Sequence, residues 1–215
     1  MTVAGADFDT VSLVILALSV LASAAYLTWL ARPVSLPRTI AKTLAVGLLC
    51  LLALSAGGPW LLVLALALSA LGDAFLAHEG DVAFLGGLGS FLAGHIAYAV
   101  LFLTAGPGFS AAAAPGVLAI AIFAVGMGYL LVSRAGPLAV PVAIYVLAIA
   151  VMGAGGVTMG GYVLVGAVLF IASDAILGSE KFLLSEGSPA RRLTAPAVWV
   201  LYYAGQALIT LGLLA

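Results

Sequence analysis

Long runs of apolar residues dominate the chain, and short polar or glycine- and proline-rich breaks separate them. A helix that crosses a bilayer needs about 20 apolar residues. Eight runs approach or reach that length, at about 10–31, 39–56, 60–77, 82–103, 116–133, 138–155, 159–179 and 195–214. Because the runs are continuous rather than alternating in polarity, they predict membrane helices and not the strands of a membrane β-barrel.

These runs use most of the 215 residues and leave no room for a soluble domain. We therefore predict an all-α integral membrane protein with eight transmembrane helices, in which residues 1–215 form a single polytopic domain. The residues before the first run include Asp7 and Asp9 but no Lys or Arg. That charge has the wrong sign for a signal peptide, so the first run is expected to be a retained helix.

Composition strengthens the membrane interpretation and removes other classes. Hydrophobic residues make up 65% of the chain and charged residues 7%, whereas a soluble domain carries about 25% charged residues. The seven Lys and Arg residues are scattered, so they form no patch that would follow a nucleic-acid backbone. The chain has one cysteine, Cys50, and with one thiol neither an intramolecular disulfide nor a cysteine metal cluster is possible.

The basic residues predict how the chain is threaded. With eight spans, all seven lie on the same side of the membrane: Arg32, Arg38, Lys42, Arg134, Lys181, Arg191 and Arg192. The positive-inside rule makes that side cytoplasmic and places both termini outside. We expect a multi-pass protein of the bacterial cytoplasmic membrane.

A weak internal repeat ends the third and seventh spans. Residues 73–79 and 174–180 both read Asp-Ala-x-Leu-x-x-Glu. Two spans that are four apart run in the same direction, so the repeat fits two parallel four-helix units. In a chain this rich in Ala and Leu, chance similarity explains the match equally well.

Polar residues inside the spans are the strongest signal of chemistry, because an ionisable group there costs about 2.5–3.5 kcal/mol. Asp73 and Asp174 are expected about 6 and 8 Å inside the cytoplasmic boundary, and His95 and Gln206 deeper. We predict one cleft, open to the cytoplasmic side and floored by His95 and Gln206. The alternative is that each group only binds a neighbouring helix. It suits the aspartates least, because Ser or Asn would pack there at lower cost.

Helical spacing adds tyrosines to this set. Tyr98 follows His95 by three residues, and Gln206 follows Tyr202 by four. Residues three or four apart share a helix face. We therefore predict that His95 with Tyr98, and Gln206 with Tyr202, line the cleft, although a packing role remains open for both tyrosines.

At these residues the sequence resembles a known family, the YhhN-like lysoplasmalogenases, which are small polytopic membrane proteins. The matching segments, in family order, are Ser69-Ala-Leu-Gly-Asp73-Ala-Phe-Leu76, Phe84-Leu-Gly86 with Ser90-Phe-Leu-Ala-Gly-His95-Ile-Ala-Tyr98, Phe170-Ile-Ala-Ser-Asp174-Ala-Ile-Leu177 leading to Lys181-Phe182, and Tyr202-Tyr-Ala-Gly-Gln206-Ala-Leu-Ile209. The resemblance implies hydrolysis of the vinyl ether of a lysoplasmalogen. The substrate would be a lysophospholipid in the bilayer, and the products a fatty aldehyde and a glycerophospho-alcohol.

The chemistry of that reaction suggests roles for the polar residues. Cleavage needs a proton donor, an anion near the developing cation, and an activated water. Two carboxylates in different environments divide such work in glycoside hydrolysis, and burial favours the protonated form of one of them. We hypothesise that Asp73 and Asp174 form this pair. His95, Tyr98, Tyr202 and Gln206 would orient water and substrate, and Lys181 or Arg191 would meet the phosphate.

Other functions fit the residues less well. A catalytic zinc needs about three His, Asp or Glu ligands, and the chain has two histidines, so no metal or cofactor is expected. A serine nucleophile would lack its usual elbow motif. A proton- or cation-coupled carrier with Asp73 and Asp174 as the coupling pair remains the main alternative, although both acids lie near one face rather than the midplane. A membrane scaffold would leave the buried acids unexplained. The oligomeric state is unknown.

Overall fold

The computed structural model describes residues 2–3, 6–185 and 187–215. Its helices are α1 (Thr10–Trp29), α2 (Leu36–Ser55), α3 (Trp60–Leu76), α4 (Asp81–Ala105), α5 (Ala114–Val132), α6 (Ala139–Met159), α7 (Gly161–Phe182) and α8 (Arg191–Leu214). Two two-residue strands, β1 (Thr2–Val3) and β2 (Ala6–Asp7), pair antiparallel before α1. A 3₁₀ turn over Gly136–Leu138 precedes α6. The all-α prediction is confirmed.

The length of each helix shows whether it is long enough to cross a membrane. Among the described residues, seven helices are long and apolar enough to cross a membrane, and α3 is a shorter apolar helix of 17 residues. The chain is therefore a multi-pass membrane protein. The eighth crossing, by α3, and the orientation of the termini remain predictions.

The predicted break between the sixth and seventh runs was placed too early. Helix α6 continues to Met159, and Gly160 alone separates it from α7. Gly160 has φ 71°, a left-handed conformation that glycine adopts without steric cost. Gly155 instead serves packing, because an added Cβ there would lie 2.8 Å from the side chain of Phe102 on α4. The end of α6 therefore packs against α4 where the predicted bounds placed a connection.

The helices pack mainly in sequence order, with two important exceptions. α1, α2 and α3 pack in succession, α3 packs on α4, and α7 packs extensively on α8. The exceptions are the contact of α4 with α6 and the closing contact of α2 with α8. Helix α5 packs on α6 and buries only Leu131 fully. It therefore lies at the edge of the bundle.

Close approach of α7 and α8 holds the polar residues of α8 in place. An added Cβ at Gly166 would lie 2.7 Å from the carbonyl oxygen of Gly205, and one at Gly205 would lie 2.8 Å from that of Gly166. Small residues allow such contact between membrane helices. Next to this contact, the ring centroid of Phe170 lies 5.2 Å from that of Tyr202. This packing directs Tyr202 towards α3.

Outside the spans, Asp9 caps α1. Its Oδ1 accepts the backbone N–H of Ser12 at 2.8 Å. Hydrogen bonding to Ser12 lowers the pKa of the Asp9 carboxyl below its ordinary value. A carboxylate in this position satisfies one of the free N–H groups at the helix start.

Candidate active site

Asp73 lies near the end of α3, where residues of α2 and α8 contact it. Its Oδ2 accepts the hydroxyl of Tyr202 at 2.7 Å, and its Oδ1 lies 3.7 Å from Nζ of Lys42. Both Asp73 and Lys42 are buried, at 1% and 8% exposure. A buried charge of either sign is costly unless it is paired. The attraction between the carboxylate and the ammonium therefore offsets part of the cost of burying them.

Asp174, in the matching turn of α7, has different partners. Its Oδ2 lies 2.8 Å from Nε2 of His95 on α4 and accepts the hydroxyl of Tyr145 on α6 at 3.1 Å. His95 is 1% exposed, and its Nδ1 is buried without a hydrogen-bond partner among the described residues. Asp174 is therefore held by an imidazole and a phenol, whereas Asp73 is held by an ammonium group and a phenol.

Both aspartates line one polar cavity, together with Tyr202. The cavity carries charged side chains and aromatic rings from six helices, namely Arg38, Lys42, Asp73, Asp174, Glu180, Tyr26, Phe91, Trp199 and Tyr202. Glu180 accepts a short hydrogen bond from the hydroxyl of Thr194. A cavity with two carboxylates in different surroundings is the arrangement in which acid and base roles separate.

A second, apolar cavity lies against α4, α5, α6 and α7. Leu76, Phe91, Asp174 and Leu177 border both cavities. Lys181 lines the apolar cavity, with its Nζ 4.5 Å from the ring centroid of Phe84. Asp174 therefore lies on a wall that the polar and apolar cavities share.

Tyr98 and Gln206 form a third polar contact, buried between α4 and α8. The hydroxyl of Tyr98 donates to Oε1 of Gln206 at 2.5 Å, and both residues are fully buried. Neither is among the residues that line the polar cavity. Nε2 of Gln206 has no hydrogen-bond partner among the described residues. This pair joins the helices behind the cavity.

The hydrogen bonds of these side chains cross between helices. We predicted from helical spacing that His95 with Tyr98, and Gln206 with Tyr202, line one cleft, and their roles there stay predictions. In the structure, His95 binds Asp174, Tyr202 binds Asp73, and Tyr98 binds Gln206. Each bond joins two helices, because a buried polar group finds its partner across a packed interface rather than along its own helix.

The predicted phosphate ligands are also engaged elsewhere. Arg191 donates to the backbone carbonyls of Glu180 and Ser185, and Lys181 lies over the Phe84 ring.

Sequence analysis missed Lys42 and Tyr145. Lys42 was interpreted only as a flanking charge, although its place six residues inside α2 marked it as buried. Over the described chain, no three His, Cys, Asp or Glu residues group closely enough to hold a metal ion.

Comparison with known proteins agrees with the predicted resemblance. The sequence profile of the YhhN family matches residues 37–213. The chain is 33% identical to human lysoplasmalogenase TMEM86B over 190 residues, which cover 87% of this chain and 77% of that protein. No solved structure matches the chain. The region that the family profile matches includes both aspartates and every helix that lines the apolar cavity, and by this match the chain belongs to the YhhN family.

Proposed function

We propose that this protein hydrolyses the vinyl ether of lysoplasmalogens and releases a fatty aldehyde and a glycerophospho-alcohol. The observation that carries the proposal is the pair Asp73 and Asp174, which line one cavity with different partners. The relationship to a human protein named lysoplasmalogenase supports the substrate class. The wall shared with an apolar cavity suits a lipid whose reacting bond lies between a polar headgroup and a hydrocarbon chain.

The reaction adds one water molecule and needs no redox step. A proton adds to the β-carbon of the vinyl ether, and the α-carbon becomes an oxocarbenium ion. Water attacks the α-carbon and loses a proton to a base, which gives a hemiacetal. The hemiacetal hydroxyl then loses its proton, the bond from the α-carbon to the glycerol oxygen breaks, the glycerol oxygen takes a proton, and the α-carbon becomes the aldehyde. The site therefore needs one acid and one base on the same substrate.

The partners of the two aspartates support a division of these roles. The ammonium of Lys42 favours the ionised form of Asp73, which suits the base that receives a proton from water. Asp174 is hydrogen-bonded to His95 rather than paired with a lysine, which suits the donor. In this scheme the hemiacetal hydroxyl returns a proton to Asp174, and Asp73 gives the proton that it took from water to the glycerol oxygen, so both carboxyls regain their starting states. His95 holds Asp174 in place, and the hydroxyls of Tyr202 and Tyr145 fix the two carboxylates. The Tyr98–Gln206 pair keeps α4 and α8 at the separation that this geometry needs.

Orientation follows from the same proposal. With eight crossings, both cavities lie in the cytoplasmic half of a bacterial inner membrane, and both termini are outside. Reporter fusions after Arg38 and Arg191 are expected to report the cytoplasm, and a fusion after Pro107 the exterior. A cytoplasmic signal at Pro107 would overturn this topology.

The direct test of function is turnover by purified protein in detergent. Vinyl-ether, alkyl-ether and acyl lysophospholipids with matched chains and headgroups are compared, and released aldehyde, fatty alcohol and fatty acid are measured separately. We expect aldehyde from the vinyl ether only, and without a membrane gradient. Cleavage of the acyl lipid alone would refute ether hydrolysis. No cleavage, combined with proton-coupled uptake into vesicles, would instead support the carrier.

A further inference from the structure

Arg38 is a charged residue of the polar cavity that the proposed mechanism does not use. It lies in the first turn of α2 and lines the cavity together with Lys42 and both aspartates. Its Nη1 donates a long bond of 3.4 Å to the carbonyl of Ala77. Its Nε is buried and has no hydrogen-bond partner among the described residues. The guanidinium carbon lies 5.7 Å from the ring centroid of Tyr26.

The acids around Arg38 are already committed to other donors. Asp73 binds Lys42 and Tyr202, Asp174 binds His95 and Tyr145, and Glu180 accepts the Thr194 hydroxyl. Within the described chain, Arg38 forms no salt bridge with any of them. A buried guanidinium nitrogen without a partner costs free energy that an anionic ligand would recover. Phosphate suits this position, because the planar guanidinium matches two phosphate oxygens at once.

The apolar cavity supplies the second half of a lipid site. Along α5 it extends from Leu131 to Ile120, which corresponds to about 16 Å of helix. The peripheral helix α5 forms its outer wall, and Phe123, which lines the cavity, is 43% exposed. Lined almost entirely by apolar side chains, this cavity suits a hydrocarbon chain from the bilayer.

We propose that one lysophospholipid lies across both cavities, with its phosphate on Arg38 and its hydrocarbon chain in the apolar cavity against α5. The ether linkage would then lie beside Asp174, on the wall that the two cavities share. The identity of the reacting bond rests on the proposed function, whereas the placement of phosphate and chain does not.

The test of the phosphate position uses a lipid that the proposed reaction leaves intact. Equilibrium binding of a saturated alkyl-ether lysophosphatidylcholine to purified protein is measured for wild type, Arg38→Ala and Arg38→Lys. Loss of a charge-assisted contact is expected to weaken binding by about 10- to 100-fold in Arg38→Ala, with partial recovery in Arg38→Lys. Arg192→Ala is the control, because Arg192 carries the same charge but does not line the cavity. Equal affinity in Arg38→Ala and wild type would overturn the assignment.

Two further ligands separate the lipid headgroup from a free anion. The alkyl glycerol without phosphate should bind wild type and Arg38→Ala equally. Inorganic phosphate should compete only weakly with the lysolipid, because it lacks the chain. Tight, Arg38-dependent binding of inorganic phosphate that displaces the lysolipid would make this a free-anion site and would also overturn the proposal.

The position of the hydrocarbon chain is tested by a matched pair of variants on α5. Ala124 lines the apolar cavity, whereas Ala121 is exposed and does not. Ala124→Trp should weaken binding of the long-chain lysolipid and have less effect on a short-chain analogue. Ala121→Trp should leave both affinities unchanged. If the two variants bind the long-chain lysolipid equally well, its hydrocarbon chain does not lie in the apolar cavity, and this part of the proposal is wrong. Because all these ligands remain uncleaved, failure of hydrolysis would leave the binding result standing, and failure of binding would leave turnover standing.

Discussion

The two aspartates begin the same sequence motif and yet have different environments. Asp73 faces an ammonium group 3.7 Å away, and Asp174 faces an imidazole 2.8 Å away. Each also accepts one tyrosine hydroxyl, from Tyr202 or Tyr145. The local sequence therefore determines that a carboxylate is present, and the neighbouring helices determine what it can do.

The difference extends to the glutamate that ends each motif. Glu79 is exposed in the turn after α3, whereas Glu180 is 8% exposed within α7 and bonds to Thr194. If the motifs descend from a duplication, their surroundings have diverged completely. Equal motifs are thus a poor guide to equal roles, and the two aspartates have to be tested separately.

The largest expected effect comes from Asp→Asn at either position. Asn keeps the shape and hydrogen bonds of the side chain but cannot supply a carboxylic proton or accept one from water. We expect Asp174→Asn and Asp73→Asn each to lower turnover by about 10²–10⁴. The double variant should lose little more than the worse single variant, because groups that act as a unit are not additive.

Melting temperature on the same preparations separates this result from misfolding, and Glu79→Gln removes an exposed acid of the same motif as a control. A packing role would leave turnover near wild type in both Asn variants and place any defect in the melting temperature. That outcome would remove the catalytic assignment.

The second prediction concerns stability and applies to Asp73 alone. Lys42→Met removes one partner of a buried ion pair and leaves a carboxylate without its counter-charge. Such a change costs about 3–5 kcal/mol of unfolding free energy. Adding Asp73→Asn to Lys42→Met should restore most of the loss in denaturant or thermal unfolding. His95→Gln should cost less, because the Gln amide can still donate a hydrogen bond to Asp174. Equal losses at Lys42 and His95 would mean that the two pairs are electrostatically alike.

Sequence analysis identified the two carboxylates but not the residues of neighbouring helices that surround them. Asp73 and Asp174 were identified because an acid in an apolar span is costly, and such an acid can be recognised from the sequence alone. Lys42 and Tyr145 were missed because their importance depends on which helices are neighbours, as in the contact of α4 with α6. Helix ends were predicted well where a turn contains proline or polar residues. The predicted end of the sixth helix at residue 155 was too early, because Gly155 there packs against Phe102 within a continuing helix.

The smallest expected effects, and the most informative about roles, come from the two tyrosines. Tyr202→Phe and Tyr145→Phe each remove one hydroxyl that donates to a carboxylate. A hydrogen bond to a charged group contributes about 1.5–3 kcal/mol and one between neutral groups about 0.5–1.5 kcal/mol. If Asp73 is ionised and Asp174 is the proton donor, Tyr202→Phe should lower turnover by about 10- to 100-fold and Tyr145→Phe by about 2- to 10-fold. Single-turnover rates at saturating lysolipid measure the difference without a contribution from binding. The reverse order would exchange the acid and the base, while equal losses would mean that the partners of the two aspartates do not divide the roles between them.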